Sequence, residues 1–384
     1  MEVIVNNEKR IVYLDYNATA PIRKEALDRM IDVYINHPGN SDSRTHEYGT
    51  AAKKIVSNCR TSLSSILGVS DTELVFTSGS TESNNMAVLG LYDYAKRSGR
   101  THFITTCIEH KSVLEAMKRL ETLGCEVDYV APDCSGRINA ENLLSRIKDS
   151  TLLVSVMHVN SETGIIQPVE EIGRVLSSTD VYFHIDATQS FGKMNDTIRK
   201  LNYDMLSFTG HKFGGPQGIG GLVLRRKRYK LPPLTALFCG GQQERGLRPG
   251  TTPVALVAGM TTAAEIADHE CSEYQTRCTT IKNELLRHLH GLRYTINGDP
   301  MYCVPNTINL SFDGVDAESL FVALKSSYAF SNGSACNSSS FSPSYVLSAM
   351  GLDKKLIDEA IRISWCAESE IDFSAFANCI RSIQ

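Results

Sequence analysis

Four short stretches of this chain hold residue types that do chemistry, and three of them sit where a buried strand gives way to a turn. Lys212 follows the apolar run 205–208 and precedes Gly214-Gly215. An amine held at a strand end is partly desolvated, and such amines form Schiff bases with carbonyl groups, pyridoxal phosphate among them. The bland alternative is an exposed turn lysine. Asp186 ends the run 182–185 and leads into Ala187-Thr188-Gln189. A carboxylate there either caps the next helix or faces a cationic ring nitrogen. Thr77-Ser78-Gly79-Ser80-Thr81-Glu82 leaves a strand and opens a helix, so free N–H groups, hydroxyls and the helix dipole together attract an anion. It lacks the P-loop lysine pattern, and plain N-capping is the competing reading. The fourth stretch, 331–340, sets Cys336 among Ser, Asn and Gly. A structural thiol has apolar neighbours; one in a small polar loop suits a nucleophilic thiolate, the alternative being an incidental exposed thiol.

The elements that must position these groups alternate. Strands are expected at 73–76, 102–105, 126–130, 152–156, 182–185 and 205–208, with helices at 82–94, 111–123 and 141–147. Several of the strands are continuously apolar, as strands buried on both faces are, which predicts a mainly parallel sheet covered by helices. Ligands in such sheets bind beyond the carboxyl ends of the strands, where these motifs lie. After about residue 255 the pattern shifts to helices at 255–267 and 280–290 and then mixed short elements, a smaller α+β unit. A long helix is expected to bridge the two.

Composition excludes several classes. The 384 residues are 42% apolar, too many for a disordered chain. The 39 basic and 43 acidic residues leave a net charge of −4, with no global basic bias for nucleic acid or an anionic membrane surface. The basic run 225–230 reads as a solvated turn. No stretch is apolar enough to span a bilayer, and no secretory pattern opens the chain, so a cytoplasmic location is expected. Eleven scattered cysteines, odd in number and without a C-x-x-C pair, read as free thiols, and no recognisable metal site is spaced among them.

The co-occurrence of these motifs in this order resembles the cysteine desulfurases, the NifS/IscS group of class V aminotransferase-like pyridoxal-phosphate enzymes. The resemblance runs from Tyr13-Leu14-Asp15-Tyr16-Asn17-Ala18-Thr19 through Phe76-Thr77-Ser78-Gly79-Ser80-Thr81-Glu82-Ser83-Asn84, Glu109-His110-Lys111, His158-Val159-Asn160, Asp186-Ala187-Thr188-Gln189 and Gly210-His211-Lys212. It continues to Arg248-Pro249-Gly250-Thr251, Gly333-Ser334-Ala335-Cys336 and Ile361-Arg362-Ile363-Ser364.

The resemblance implies an α/β aminotransferase-like fold. Residues 14–258 would form the cofactor domain, and 1–13 with 259–384 a small domain carrying the cysteine loop. It implies that Lys212 holds pyridoxal phosphate, Asp186 faces the pyridine nitrogen, Gln189 donates to the ring hydroxyl, and His110 stacks on the ring and handles protons. Ser80, Thr81, Thr209 and His211 would cradle the phosphate, joined by Thr251 from the other subunit of a homodimer. Arg362 would grip the substrate carboxylate beside Asn160, and Cys336 would take sulfur from L-cysteine as a persulfide, pass it to an acceptor protein and leave alanine. A plain aminotransferase or selenocysteine lyase is the neighbouring reading; the loop thiol speaks against the former. A non-enzymatic metal or cluster carrier would need ligands the spacing does not supply. Three departures stand out: Ser161 replaces a second asparagine after Asn160, Gly240-Gly241-Gln242-Gln243-Glu244 carries Gln where a third Gly is common, and Trp365-Cys366 fills a stretch that is usually small. The short stretch after Arg362 lacks the tail that docks a cluster scaffold, which leans towards a dedicated sulfur acceptor such as a DNA phosphorothioation system.

Overall fold

The structure, a computed structural model, describes residues 11–332 and 343–384. Its central feature is a seven-stranded sheet. In chain order the strands are β1 (Val12–Tyr13), β2 (Leu74–Thr77), β3 (His102–Thr106), β4 (Glu126–Val130), β5 (Thr151–Met157), β6 (Tyr182–Asp186), β7 (Met205–Thr209), β8 (Gly220–Leu224), β9 (Tyr294–Ile296), β10 (Thr307–Phe312), β11 (Tyr328–Ala329) and β12 (Ala360–Ser364). The large sheet runs β2-β8-β7-β6-β5-β3-β4. Its pairings are parallel except those of β8, which runs against both neighbours. Every residue of β2, β3, β5, β7 and β8 is buried, as continuous apolar strands between two helical layers must be.

Five helices of the first half matter below: α1 (Lys24–Asn36), α2 (Glu47–Leu67), α3 (Ser80–Leu89), α4 (Tyr92–Ser98) and α5 (Lys111–Thr122). Where one helix was expected over 82–94 the chain forms two, because Gly90 closes α3 and its carbonyl accepts the N–H of Thr235 at 2.8 Å. β8 is not among the strands expected from the sequence. Its glycines are there for close approach: a Cβ on Gly221 would lie 2.4 Å from the Phe208 ring. The expected bridging helix is a pair, Val254–His269 and Cys271–His288, meeting at Glu270.

A second core gathers around the antiparallel sheet β12-β10-β9, where Trp365, Phe312, Phe373 and Phe376 are fully buried. The bulk of Trp365 is accommodated inside this core, its indole N–H donating to the Cys278 carbonyl at 3.2 Å. β1 pairs in parallel with β11, so the start of the described chain is tied to its last third.

The basic run 225–230 is a turn, and four of its side chains or amides are used internally. Arg225 lies 4.1 Å from the centre of the Tyr203 ring, Lys227 pairs with Asp204 at 3.1 Å, and Arg228 with Asp180 at 2.8 Å. The Arg226 N–H donates to Glu73 at 2.8 Å. All ten described cysteines are free, and no described helix is long and apolar enough to cross a membrane.

Candidate active site

Parallel strands share one direction, so the carboxyl ends of β2, β3, β5, β6 and β7 open on one edge of the sheet. The segments leaving them line a cavity of about 560 Å³. β2 delivers the turn Ser78-Gly79 and the first residues of α3. β3 delivers His110, β5 delivers Val159, Ser161 and Glu162, β6 delivers Asp186, Thr188 and Gln189, and β7 delivers Thr209, His211 and Lys212. The far wall comes from elsewhere: Asn17 and Ala18, Gln217 and Gly218, Pro343, Tyr345, and Arg362 from β12.

Gly79 adopts φ +148°, a backbone state that side chains disfavour, and it caps α3 without a side-chain bond. The opening turn of α3 thus keeps N–H groups without a side-chain cap on the cavity wall, with the hydroxyls of Ser80 and Thr81 beside them. Thr188 donates to the Ser80 hydroxyl at 2.6 Å, which sets that oxygen in place. Glu82, unforeseen from sequence, is buried here; it accepts the Ser78 N–H at 2.6 Å and pairs with Arg248 at 3.0 Å.

Asp186 is buried, and each of its oxygens is held. Oδ1 accepts the Thr188 N–H at 2.9 Å and Oδ2 accepts Asn84 Nδ2 at 2.8 Å. The Lys212 ammonium donates to the carbonyls of Asn17 at 2.5 Å and Ala18 at 2.8 Å, groups almost two hundred residues away in sequence. Burial, and next the positive charges of Lys193 and Arg362, press its pKa down to about 7. Gln189 lies between two partners: its amide N donates to the Asn17 carbonyl at 2.9 Å, and its oxygen accepts Lys193 Nζ at 3.2 Å. His211 is held near neutral form, its pKa lowered to about 4 by burial and then by Lys212. His110 caps α5: its Nδ1 accepts the Ser112 N–H at 3.1 Å, and burial lowers its pKa. An Nδ1 that accepts leaves the proton of the neutral ring on Nε2.

Arg362 donates from NH2 to Asp15 at 2.6 Å and from NH1 to the Ser161 carbonyl at 3.1 Å, while its buried Nε has no partner. A guanidinium held in place at a cavity wall is suited to a carboxylate. Glu162 is buried beside it, its pKa raised by burial, and accepts the Ser344 hydroxyl at 2.5 Å.

The structure thus brings together Ser80, Thr81, His110, Asp186, Gln189, Thr209, His211, Lys212 and Arg362. It does not bring Asn160. That side chain is buried but occupied by backbone: Nδ2 donates to the Ile108 carbonyl at 3.1 Å, and Oδ1 accepts the N–H groups of Glu162 and Thr163, both at 2.9 Å. Asn160 shapes the turn, and its neighbours Ser161 and Glu162 line the cavity in its place. Thr251 is exposed and absent from the walls formed by this one chain. Cys336 lies outside the described residues. His102, Glu126 and Asp128 do approach one another within 4.8 Å, which the sequence did not suggest. They are engaged only in part: His102 Nδ1 meets the Thr151 hydroxyl at 2.7 Å, its Nε2 lies 3.3 Å from Asp128 without a hydrogen bond, and Glu126 pairs with Lys148 at 2.5 Å.

A cavity with an uncapped helix terminus at one end, a buried carboxylate and an amine of lowered pKa fits pyridoxal phosphate. The helix terminus and hydroxyls suit the phosphate, Asp186 suits a protonated ring nitrogen, and Lys212 suits the aldehyde carbon.

The comparisons with known proteins agree. The Aminotransferase class-V family model matches residues 12–372. A human cysteine desulfurase is 41% identical over 381 residues, covering 98% of this chain and 82% of that one. Among solved structures, DndA from Streptomyces lividans superposes with a TM-score of 0.81 at 43% identity, covering 91% of this chain and 98% of that one. SspA in complex with cysteine gives a TM-score of 0.80 at 35% identity, covering 94% and 100%. The chain belongs to the class V aminotransferase family, within its cysteine desulfurases, and is a pyridoxal-phosphate-dependent enzyme.

The lowered pKa of Lys212 has a direct consequence in protein stripped of cofactor. Above about pH 7 its amine is mostly neutral, whereas a surface lysine near 10.5 is almost wholly charged. At pH 7.5 an amine-acylating reagent should therefore label Lys212 about 100-fold faster than exposed lysines, after allowance for its partial burial. Labelling should fall as pH drops below about 7, because protonation removes the nucleophile. Peptide mass mapping checks this; labelling no faster than at surface lysines would contradict the lowered pKa.

Proposed function

We propose that this enzyme converts L-cysteine to L-alanine in the cytoplasm and transfers the sulfur to Cys336 as a persulfide, from which an acceptor protein takes it. The observation that carries the reading is the convergence of Lys212, Asp186, the α3 terminus and Arg362 on one cavity. Bound pyridoxal phosphate supplies an electron sink conjugated to the substrate α-carbon.

The chain's residues do the rest. Arg362, which lines the cavity, binds the substrate carboxylate and is itself oriented by Asp15 and Ser161. Lys212, whose lowered pKa of about 7 leaves a large share of neutral amine at neutral pH, takes the α-proton on Nζ. His110, with a proton on Nε2, donates into the cavity. The Cys336 thiolate attacks the substrate sulfur: an S–S bond forms, the carbon–sulfur bond breaks, and its electron pair stays on the carbon skeleton, which gains a proton and leaves as alanine.

In our reading residues 14–258 serve as the cofactor domain, and 1–13 with 259–384 as the domain that presents the cysteine. The working unit is a homodimer, in which Thr251 reaches the partner's phosphate site. The apolar, exposed face of α1, with Leu27, Ile31, Tyr34 and Ile35, supports a subunit contact, because such patches on a single chain are otherwise exposed to water. For the acceptor we favour a dedicated sulfur-modification system such as DNA phosphorothioation over a general iron–sulfur scaffold; the 43% identity to DndA is its support.

The test supplies sulfur-labelled L-cysteine to the holoenzyme, whose solution mass is recorded. Alanine in equal amount to label on Cys336, in a dimer, is expected. Label then chases to a sulfur-modification partner faster than to a cluster scaffold. Alanine without label on Cys336 would defeat the persulfide, a cofactor-loaded active monomer the dimer, and faster transfer to the scaffold the acceptor.

A further inference from the structure

Behind the wall of the cavity one buried amide joins two groups that the reaction uses from opposite directions. Asn84, in the second turn of α3, is fully buried. Its Nδ2 donates to Asp186 Oδ2 at 2.8 Å and also to Ser112 Oγ at 2.9 Å. Ser112 Oγ in turn meets His110 Nδ1 at 2.8 Å. Three elements are thereby linked through side chains: α3, the end of β6, and the start of α5. Asn84 itself does not line the cavity.

The amide orientation follows from charge. Turning Asn84 over would set its carbonyl oxygen against the Asp186 carboxylate, two acceptors at hydrogen-bond distance with no proton between them. The observed orientation leaves Asn84 Oδ1 buried without a partner. A buried acceptor is costly to leave unpaired, so the two bonds made by Nδ2 are what the position is built for. The chain has a polarity as well. Ser112 Oγ accepts from Asn84, and its hydroxyl proton is then directed to His110 Nδ1, the same nitrogen that accepts the Ser112 N–H. Both contacts favour the proton on Nε2, towards the cavity.

We propose that Asn84 is a positioning residue of the cofactor site, holding the Asp186 carboxylate directly and the His110 ring through Ser112. This rests on the placement of Asp186 at the ring nitrogen given above. With Asn84 in place the carboxylate is fixed at both oxygens, by Asn84 and by the Thr188 N–H. Without it, Asp186 is free to turn about its last torsion and a buried charge loses half its protein donors. The charged groups acting on His110 are Asp186, Lys212 and Lys111, so movement of Asp186 is also felt at the imidazole.

The experiment titrates pyridoxal phosphate into cofactor-stripped protein, with circular dichroism to confirm folding. Asn84→Leu, close in volume and without donors, should weaken binding about 10- to 100-fold, the loss of one hydrogen bond to a charged group. Asn84→Asp should be weaker still at neutral pH, because a second carboxylate faces Asp186. Its deficit relative to wild type should shrink as pH falls and a shared proton restores a donor. A purely structural role would give no such pH dependence. In uniformly ¹⁵N-labelled stripped protein, the His110 ring nitrogens should shift in Asn84→Leu, although Asn84 does not touch that ring.

Asp186→Asn serves as the control. If Asp186→Asn weakens binding while Asn84→Leu binds within twofold of wild type, the inference is overturned and the reading of Asp186 stands. If both bind as wild type does, the reading of Asp186 falls and takes the inference with it. Unmoved His110 nitrogens would remove the link through Ser112. Should Asn84→Leu fail to fold, the pH response of Asn84→Asp decides alone: a constant deficit overturns the proposal.

Discussion

Lys212→Ala is expected to yield a folded but colourless protein with turnover reduced at least about 10⁴-fold, the upper range for a group that both moves a proton and forms a covalent bond. The amine is unusual in this chain. It sits on two backbone carbonyls, and its pKa is pressed to about 7. Alanine removes the nitrogen that joins the cofactor and the base that takes the α-proton, so neither tight retention of the cofactor nor chemistry survives. Lys212→Arg separates the two losses from simple loss of charge: it keeps a cation near Asp186 but cannot be neutral at working pH. It should be as inactive as alanine. The measurements are the visible absorption of the purified protein and alanine release from L-cysteine. A yellow Lys212→Ala protein, or one that retains a tenth of wild-type turnover, would remove Lys212 from the site.

Cys336→Ala is expected to divide the reaction at a different point. The protein should purify yellow, since no group that we assign to the cofactor is altered. Its absorption should still change on addition of L-cysteine, because Arg362, Lys212 and Asp186 are intact. Sulfide and persulfide formation should fall about 10³-fold or more, since the sulfur has lost its acceptor. The two variants thus differ in kind: one loses the cofactor, the other keeps it and stalls after the substrate binds. Persulfide detected at the wild-type rate in Cys336→Ala would move the acceptor role to another of the eleven cysteines. Several of the described thiols are poor replacements, because burial raises the pKa of Cys59, Cys278, Cys303 and Cys366 and keeps them protonated.

Much of this was legible before any coordinate was considered. A run of apolar residues that ends in Asp186, another that ends shortly before Lys212, and a Ser-Gly-Ser-Thr turn opening a helix are local signals. They depend on backbone period and on what a helix terminus leaves unpaired, and both act over a few residues. The alternation of strands and helices likewise implied a sheet with its ligand edge at the carboxyl ends. The motifs lay at the ends of five strands, and the shared direction of those strands, which β2 gains through two antiparallel pairings of β8, set them around one cavity.

What the sequence by itself determined, then, is the chemistry available: an amine, a carboxylate, an anion-binding terminus, a guanidinium and a thiol, with the order of elements that carries them. Which groups meet was decided only by the tertiary structure. Asp15 reaches Arg362 because β12 brings the end of the chain beside its beginning, a contact that no local spacing announces. The carbonyls beneath Lys212 are backbone atoms of Asn17 and Ala18, and backbone atoms have no signature in a sequence. Asn160 carried the expected residue type, yet its amide closes a turn, whereas Asn84, which only ended a family-like stretch and had no role assigned to it, supports Asp186. The physical reason is the same in each case. A hydrogen bond is decided at about 3 Å in space, and sheet register and helix packing, not distance along the chain, determine which donors and acceptors come that close.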